Sequence, residues 1–128
     1  MEVKTSTKEK FTVITGMPSS LSETMTAELG SVLTSFLQQP VKNIVLDMHP
    51  VESIDEAAAE KLTKTQQDFY EAGASFVIFG LQPAVEARLD ELELLELMNV
   101  TPTESEAWDI VQMEEIEREL LDDEDDEQ

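Results

Sequence analysis

What this chain lacks narrows its chemistry before any motif is read. It has no cysteine, so disulfides, thiolate metal sites and cysteine nucleophiles are excluded. It has one histidine, His49, so one chain cannot build a site that needs two. With four glycines, it contains neither G-x-G-x-x-G nor a phosphate-binding P-loop. No apolar run approaches the roughly 20 residues of a membrane-spanning helix. The opening MEVKTSTKEKF has no apolar stretch of the kind a signal peptide needs. These absences point to a soluble protein, expected in the cytoplasm, without membrane insertion and without a cofactor. Basic residues are scarce too: 8 Lys and Arg stand against 29 Asp and Glu, a formal charge of −21. That charge opposes binding to nucleic-acid phosphates and to anionic membrane surfaces.

A hydrophobic fraction of 41% over 128 residues is enough for one real core. With five Phe, one Tyr and one Trp, that core is built mainly from Leu, Val, Ile and Met. A single domain over residues 1–120 is expected, followed by an acidic tip over 121–128. Residues 103–128 hold 13 of the 29 acids and one base, Arg118. The run Asp122 to Glu127 reads as a solvated, disordered end whose ordinary role is solubility. The sharper role for it is an electrostatic arm for a basic partner.

Along the chain, Val3 to Thr7 and Phe11 to Thr15 read as strands, with Lys8-Glu9-Lys10 able to turn a hairpin. Gly16-Met17-Pro18 ends the second strand. Ser20-Leu21-Ser22-Glu23 has the capping-box pattern, which places Ser20 at a helix start. Leu21, Met25, Leu29, Val32 and Phe36 then recur at helical spacing, widened by Leu33 and Leu37, until Gln38-Gln39-Pro40 stops the helix. Lys42 to Met48 is the central strand. Its Ile44-Val45-Leu46 run is continuously apolar, as a strand covered on both faces requires. A helix from Asp55 to about Ala72 carries Ala58, Leu62, Thr65 and Phe69 on one face, and Gly73 ends it. Ser75 to Gly80 is another buried strand. Gln82-Pro83 opens a third helix with Val85, Leu89 and Leu92, and Leu94, Leu95 and Leu97 continue the apolar run. Asn99 to Pro102 suits a short edge strand. Thr103-Glu104-Ser105-Glu106 is a second capping box, before a terminal helix with Ala107, Ile110, Met113 and Leu120. The order β-β-α-β-α-β-α-(β)-α predicts a mostly parallel or mixed α/β sheet of four to five strands with helices packed on it.

The segment Lys42 to Leu62 is the most informative. A loop between a buried strand and a helix N-terminus is where α/β domains place functional groups, because free backbone N–H groups and the helix dipole favour anions there. Here the loop delivers acid and methyl groups: Asp55-Glu56-Ala57-Ala58-Ala59. Leu46-Asp47, the Ile54-Asp55 pair, Phe79-Gly80-Leu81-Gln82-Pro83 and the Leu-rich stretch from Leu92 to Met98 occur in the order found in the STAS domain family. Over roughly residues 2–118 the chain resembles that family, which includes bacterial anti-sigma factor antagonists and the cytoplasmic domains of sulfate transporters. The resemblance implies a non-enzymatic regulatory module that binds a protein partner, such as an anti-sigma factor or kinase-like protein. It places the contact surface at the loop from Met48 to Ile54 and the first turns of the following helix: His49, Glu52, Ser53, Asp55, Glu56 and Ala57. Partner-switching members carry a Ser or Thr just after the Asp, and its phosphorylation adds nearly two negative charges at the helix start. Here Glu56 and Ala57 stand at those positions, and Ala58 replaces the usual Gly. Ser53 and Thr63 are the nearest hydroxyls, both outside the motif.

Glu56 therefore has three readings. It is a permanent partial mimic of the phosphorylated state, part of a module that binds without a switch, or a favourable first-turn acid contributing about 0.3–1 kcal/mol. Alanine is the best helix former, so Ala57-Ala58-Ala59 needs no function to explain it. Two further classes remain open: a small-molecule or nucleotide binder at the same helix start, and an accessory cytoplasmic subunit of a membrane transporter. His49 lies near Asp47, Glu52 and Asp55, a grouping that suggests a metal ligand or general base, although an exposed loop histidine is the plainer expectation. Trp108 and Met113 suit either packing on the sheet, the preferred reading, or a docking face. Leu94, Leu95, Leu97 and Met98 exceed what one helix face buries, which leaves surface for a partner or for a second copy in a homodimer.

Overall fold

The computed structural model describes residues 2–126, with side chains as far as Leu121. Of the expected acidic tip, residues 121–128, only Leu121 has a described side chain. The elements run β1 (Lys4–Thr7), β2 (Thr12–Thr15), β3 (Ser20–Leu21), α1 (Glu23–Ser35), β4 (Ile44–Asp47), β5 (Ser53–Ile54), α2 (Glu56–Glu71), β6 (Phe76–Phe79), α3 (Pro83–Glu91), β7 (Val100–Thr101) and α4 (Glu104–Asp126). Five strands form one mixed sheet in the order β1-β2-β4-β6-β7. β1 is antiparallel to β2, and the other neighbours are parallel. A two-stranded ladder joins β3 to β5, with Ser20 opposite Ser53 and Leu21 opposite Ile54.

The side-chain period of two divides the sheet into two faces. Ile14, Leu46 and Ile78 lie in register across β2, β4 and β6 and are buried under α1, α2 and α3. Val13, Val45 and Val77 form the matching row on the other face, under Ala107 and Val111 of α4. Both faces of β4 are thus covered, which is why its apolar run is unbroken. Each fully buried Val, Leu or Ile in these rows contributes roughly 1.5–3 kcal/mol of transfer free energy.

Several local expectations are corrected. Ser20 does not cap α1. It pairs with β5, and Ser22 takes the cap, its hydroxyl accepting from the Met25 amide at 3.3 Å. With Leu21 drawn into that ladder, the buried stripe of α1 is Thr26, Leu29 and Leu33, and Val32 is left 40% exposed. On α2 the buried face is broader than expected, adding Ala59, Thr63 and Gln66 to Ala58, Leu62 and Phe69. The small side chains at 58 and 59 let α2 lie close to the sheet and to α1. The third helix stops at Glu91. Glu93 takes a left-handed φ of 60°, and Leu95–Leu97 form a 3-10 turn instead of prolonging the helix. Leu92, Leu94 and Leu95 still reach the core, while Leu97 is exposed.

At the second expected capping box Thr103 caps α4: its hydroxyl accepts from the Glu106 amide at 3.3 Å. Trp108 packs on Phe11 with ring centroids 5.1 Å apart. Met113 and Leu120, expected on the packed face of α4, point outward, and the inward positions are Ala107 and Val111. Further along, α4 is held by polar contacts. Buried Asn43 donates to the Lys10 carbonyl and the Glu115 carboxylate (3.0 and 2.7 Å) and accepts from the Ser75 amide at 2.8 Å. The Ser75 hydroxyl and the Asn99 amide group donate to Glu114. Arg118 reaches Asn43 Oδ1 and the Ser75 hydroxyl.

Candidate functional site

The C-terminal ends of parallel strands are where open α/β sheets place their sites. In this chain the adjacent ends of β4 and β6 carry Asp47 and Phe79, paired in register. The Met48 amide donates to the Phe79 carbonyl at 3.0 Å, so the loop leaves β4 tied to its neighbour. Asp47 then organises the first loop residue. Its carboxylate accepts from the His49 backbone amide at 3.0 Å, and His49 Nδ1 lies 3.0 Å from each of its oxygens. On the other side Gln82 donates its side-chain N–H to the His49 carbonyl at 2.6 Å. Gly80, with φ +77°, lets this turn close: a Cβ there would stand 3.2 Å from the His49 Cβ. His49 is therefore an exposed ring on a well-held backbone.

The loop next folds inward and out again. Val51 is buried, and its amide closes a turn on the Met48 carbonyl. Glu52 and Ser53 both donate their amides to the Ser19 carbonyl, at 2.6 and 3.1 Å. The Ser53 hydroxyl meets that of Ser20 at 3.1 Å. The β3–β5 ladder thus brings the start of α1 beside the start of α2, a neighbourhood the sequence did not announce. It adds Ser20 and Glu23, and Gln82 joins the loop from the start of α3. The capping-box pattern at Ser20 pointed to a helix start and concealed the strand.

Asp55 joins the two helices. Its Oδ1 accepts from the Ala58 amide at 2.7 Å and caps α2, while its Oδ2 accepts from the Glu23 amide at 3.2 Å, at the first residue of α1. Both carboxylate oxygens are engaged by helix N-termini, where a negative charge is favoured. Glu56 follows as the first residue of α2 and is exposed, Ala57 is half-buried, and Ala58 is fully buried. Glu52 and Ser53 are exposed as well. The six residues expected at the surface do come together along one loop and one helix start. Thr63 is buried, with its hydroxyl donating to the Ala59 carbonyl at 2.9 Å, so it is closed to modifying enzymes in the folded chain. Among the described residues, no three His, Asp or Glu side chains converge on a common point that would hold a metal ion. His49 contacts Asp47, not Glu52 or Asp55.

Comparison with known proteins identifies the fold that carries this loop. The STAS domain family model matches residues 4–107. The chain belongs to the STAS domain family. Solved structures share its fold at low identity. One is a Thermotoga maritima protein assigned as an anti-sigma factor antagonist, 21% identical, with a TM-score of 0.73 over 86% of this chain and 94% of that one. A second is a serine-to-glutamate variant of RsbS from Moorella thermoacetica, 20% identical, with a TM-score of 0.69 over 88% of this chain and 96% of that one. The third is the murine solute carrier 26 family member A9 anion transporter, 15% identical, with a TM-score of 0.64 over 80% of this chain and 18% of the transporter. No curated protein matches by sequence. As a STAS domain, the chain presents its loop 48–54 and the start of α2 on a frame shared with both regulators and a transporter.

Proposed function

We propose that this STAS domain is a non-enzymatic, cytoplasmic regulator that binds a protein partner through the loop 48–54 and the first turn of α2. The partner class is an anti-sigma factor or a related kinase-like protein. One observation carries the reading: the first two residues of α2, exposed Glu56 and half-buried Ala57, hold no hydroxyl where switching members of the family resemble one another in having it. In this reading Glu56 supplies a fixed single negative charge in place of a reversible phosphate, and the domain binds without being switched at that position. His49, Glu52 and Ser53 form the loop side of the contact. Asp55 keeps the surface in shape by capping α2 and accepting from the first amide of α1.

The experiment is phosphorylation by an anti-sigma factor kinase followed by mass mapping. The wild-type chain should take no phosphate within residues 53–60, while Ala57→Ser should gain it. Stoichiometric phosphate on wild-type Ser53 would overturn the loss of the switch. A second reading, an accessory subunit of a transporter, is favoured by the structural likeness to an anion transporter domain. Among the described residues no helix is long and apolar enough to cross a membrane, so in this reading the membrane part lies outside them. Recovery of the protein with a membrane transporter after mild detergent extraction would select it.

A further inference from the structure

The inner face of α4 completes the sheet, and its outer face is also apolar. Ala107 and Val111 sit on the valine row, and Arg118 follows on the same side. At 3.6 residues per turn, Met113, Ile116 and Leu120 then fall in a line on the opposite side. They are 59%, 56% and 59% exposed. Nothing in the fold requires apolar residues there, since the sheet beneath is already covered. Three anchors spaced by three and four residues match the repeat of a helix laid alongside. Exposed acids surround the line: Glu106, Glu117 and Glu119 lie beside it, and Asp109 lies at its N-terminal end.

We propose that the outer face of α4 docks a basic amphipathic helix from another protein. Charge selects this occupant. A second copy would set two such helices against each other, each from a segment with 13 acids and one base over residues 103–128. The same charge repels an anionic membrane surface. A partner helix with an apolar line edged by Lys and Arg satisfies both the anchors and the acids. This surface lies across the sheet from α2, so it is separate from the loop 48–54 and open to a second partner at the same time.

The test uses the full chain and a fluorescent Leu/Lys peptide designed as an amphipathic helix, with a scrambled peptide of equal composition as control. Anisotropy should show the helical peptide binding about tenfold or more tightly than the scramble. Ile116→Gln/Leu120→Gln should reduce binding to the level of the scramble without altering the circular dichroism spectrum. Equal binding of the two peptides would mean diffuse charge attraction and would overturn the proposal. So would a wild-type dimer in light scattering that the double variant dissociates. Amide shift mapping on the wild-type chain is independent of the variants: changes along α4 support the proposal, and changes confined to 48–57 reject it.

Discussion

Replacing Asp55 measures how far one side chain holds the site together. Its two oxygens accept from two helices, the Ala58 amide at 2.7 Å and the Glu23 amide at 3.2 Å. Loss of an N-cap costs about 0.5–2 kcal/mol. Loss of the second bond adds about 0.5–1.5 kcal/mol, toward the lower end because the group is exposed. Asp55→Ala should therefore cost roughly 1–3 kcal/mol. Asp55→Ser keeps a hydroxyl for the Ala58 amide but is too short to serve Glu23, so it should lose only about 0.5–1 kcal/mol. Urea denaturation followed by circular dichroism reads both values as shifts in midpoint at constant slope. Hydrogen exchange adds a local readout: the Glu23 amide should lose protection in both variants, the Ala58 amide only in Asp55→Ala. If Asp55→Ser is as stable as wild type and Glu23 keeps its protection, the bridge between helices is wrong. If Asp55→Ala is also unchanged, neither bond matters.

Three other outcomes follow from the same geometry. Gly80→Ala places a methyl 3.2 Å from His49 Cβ on a backbone with φ +77°, and should cost about 1–2 kcal/mol or more while shifting the His49 resonances. Asn43→Ala strips the Ser75 amide and Glu115 of their buried partner, so thermal denaturation should show a loss of about 2–4 kcal/mol. Glu93→Gly relieves a left-handed φ of 60°, and the melting temperature should rise by an amount equivalent to about 1 kcal/mol or less, because glycine's chain entropy offsets part of the gain.

Much of the frame was legible because its signals are local. The apolar run Ile44-Val45-Leu46 announced a strand buried on both faces, and the sheet places it at the centre. Gly73, with φ +77°, ended α2, and the Thr103 hydroxyl capped α4. The candidate site was legible only in part. The loop and Asp55 were found through motif order, but Ser20, Glu23 and Gln82 came from elsewhere in the chain. At Ser20 the local capping pattern lost to a strand partner 33 residues away.

The exposed line on α4 shows the same division. Spacing alone assigned Met113 and Leu120 to the packed face, since periodicity finds an apolar stripe but not the direction it faces.

By itself, the sequence determined the class of fold, the strongly acidic charge balance, and the absence of a hydroxyl at Glu56 and Ala57. Composition and short-range pattern suffice for these, because they depend on which groups are present and on neighbours within a few residues. Only the tertiary structure decided that Asp55 serves two helices, that the α1 start adjoins the loop, and which side of α4 meets the sheet. These depend on distances between segments far apart in the chain, set by packing the whole core at once.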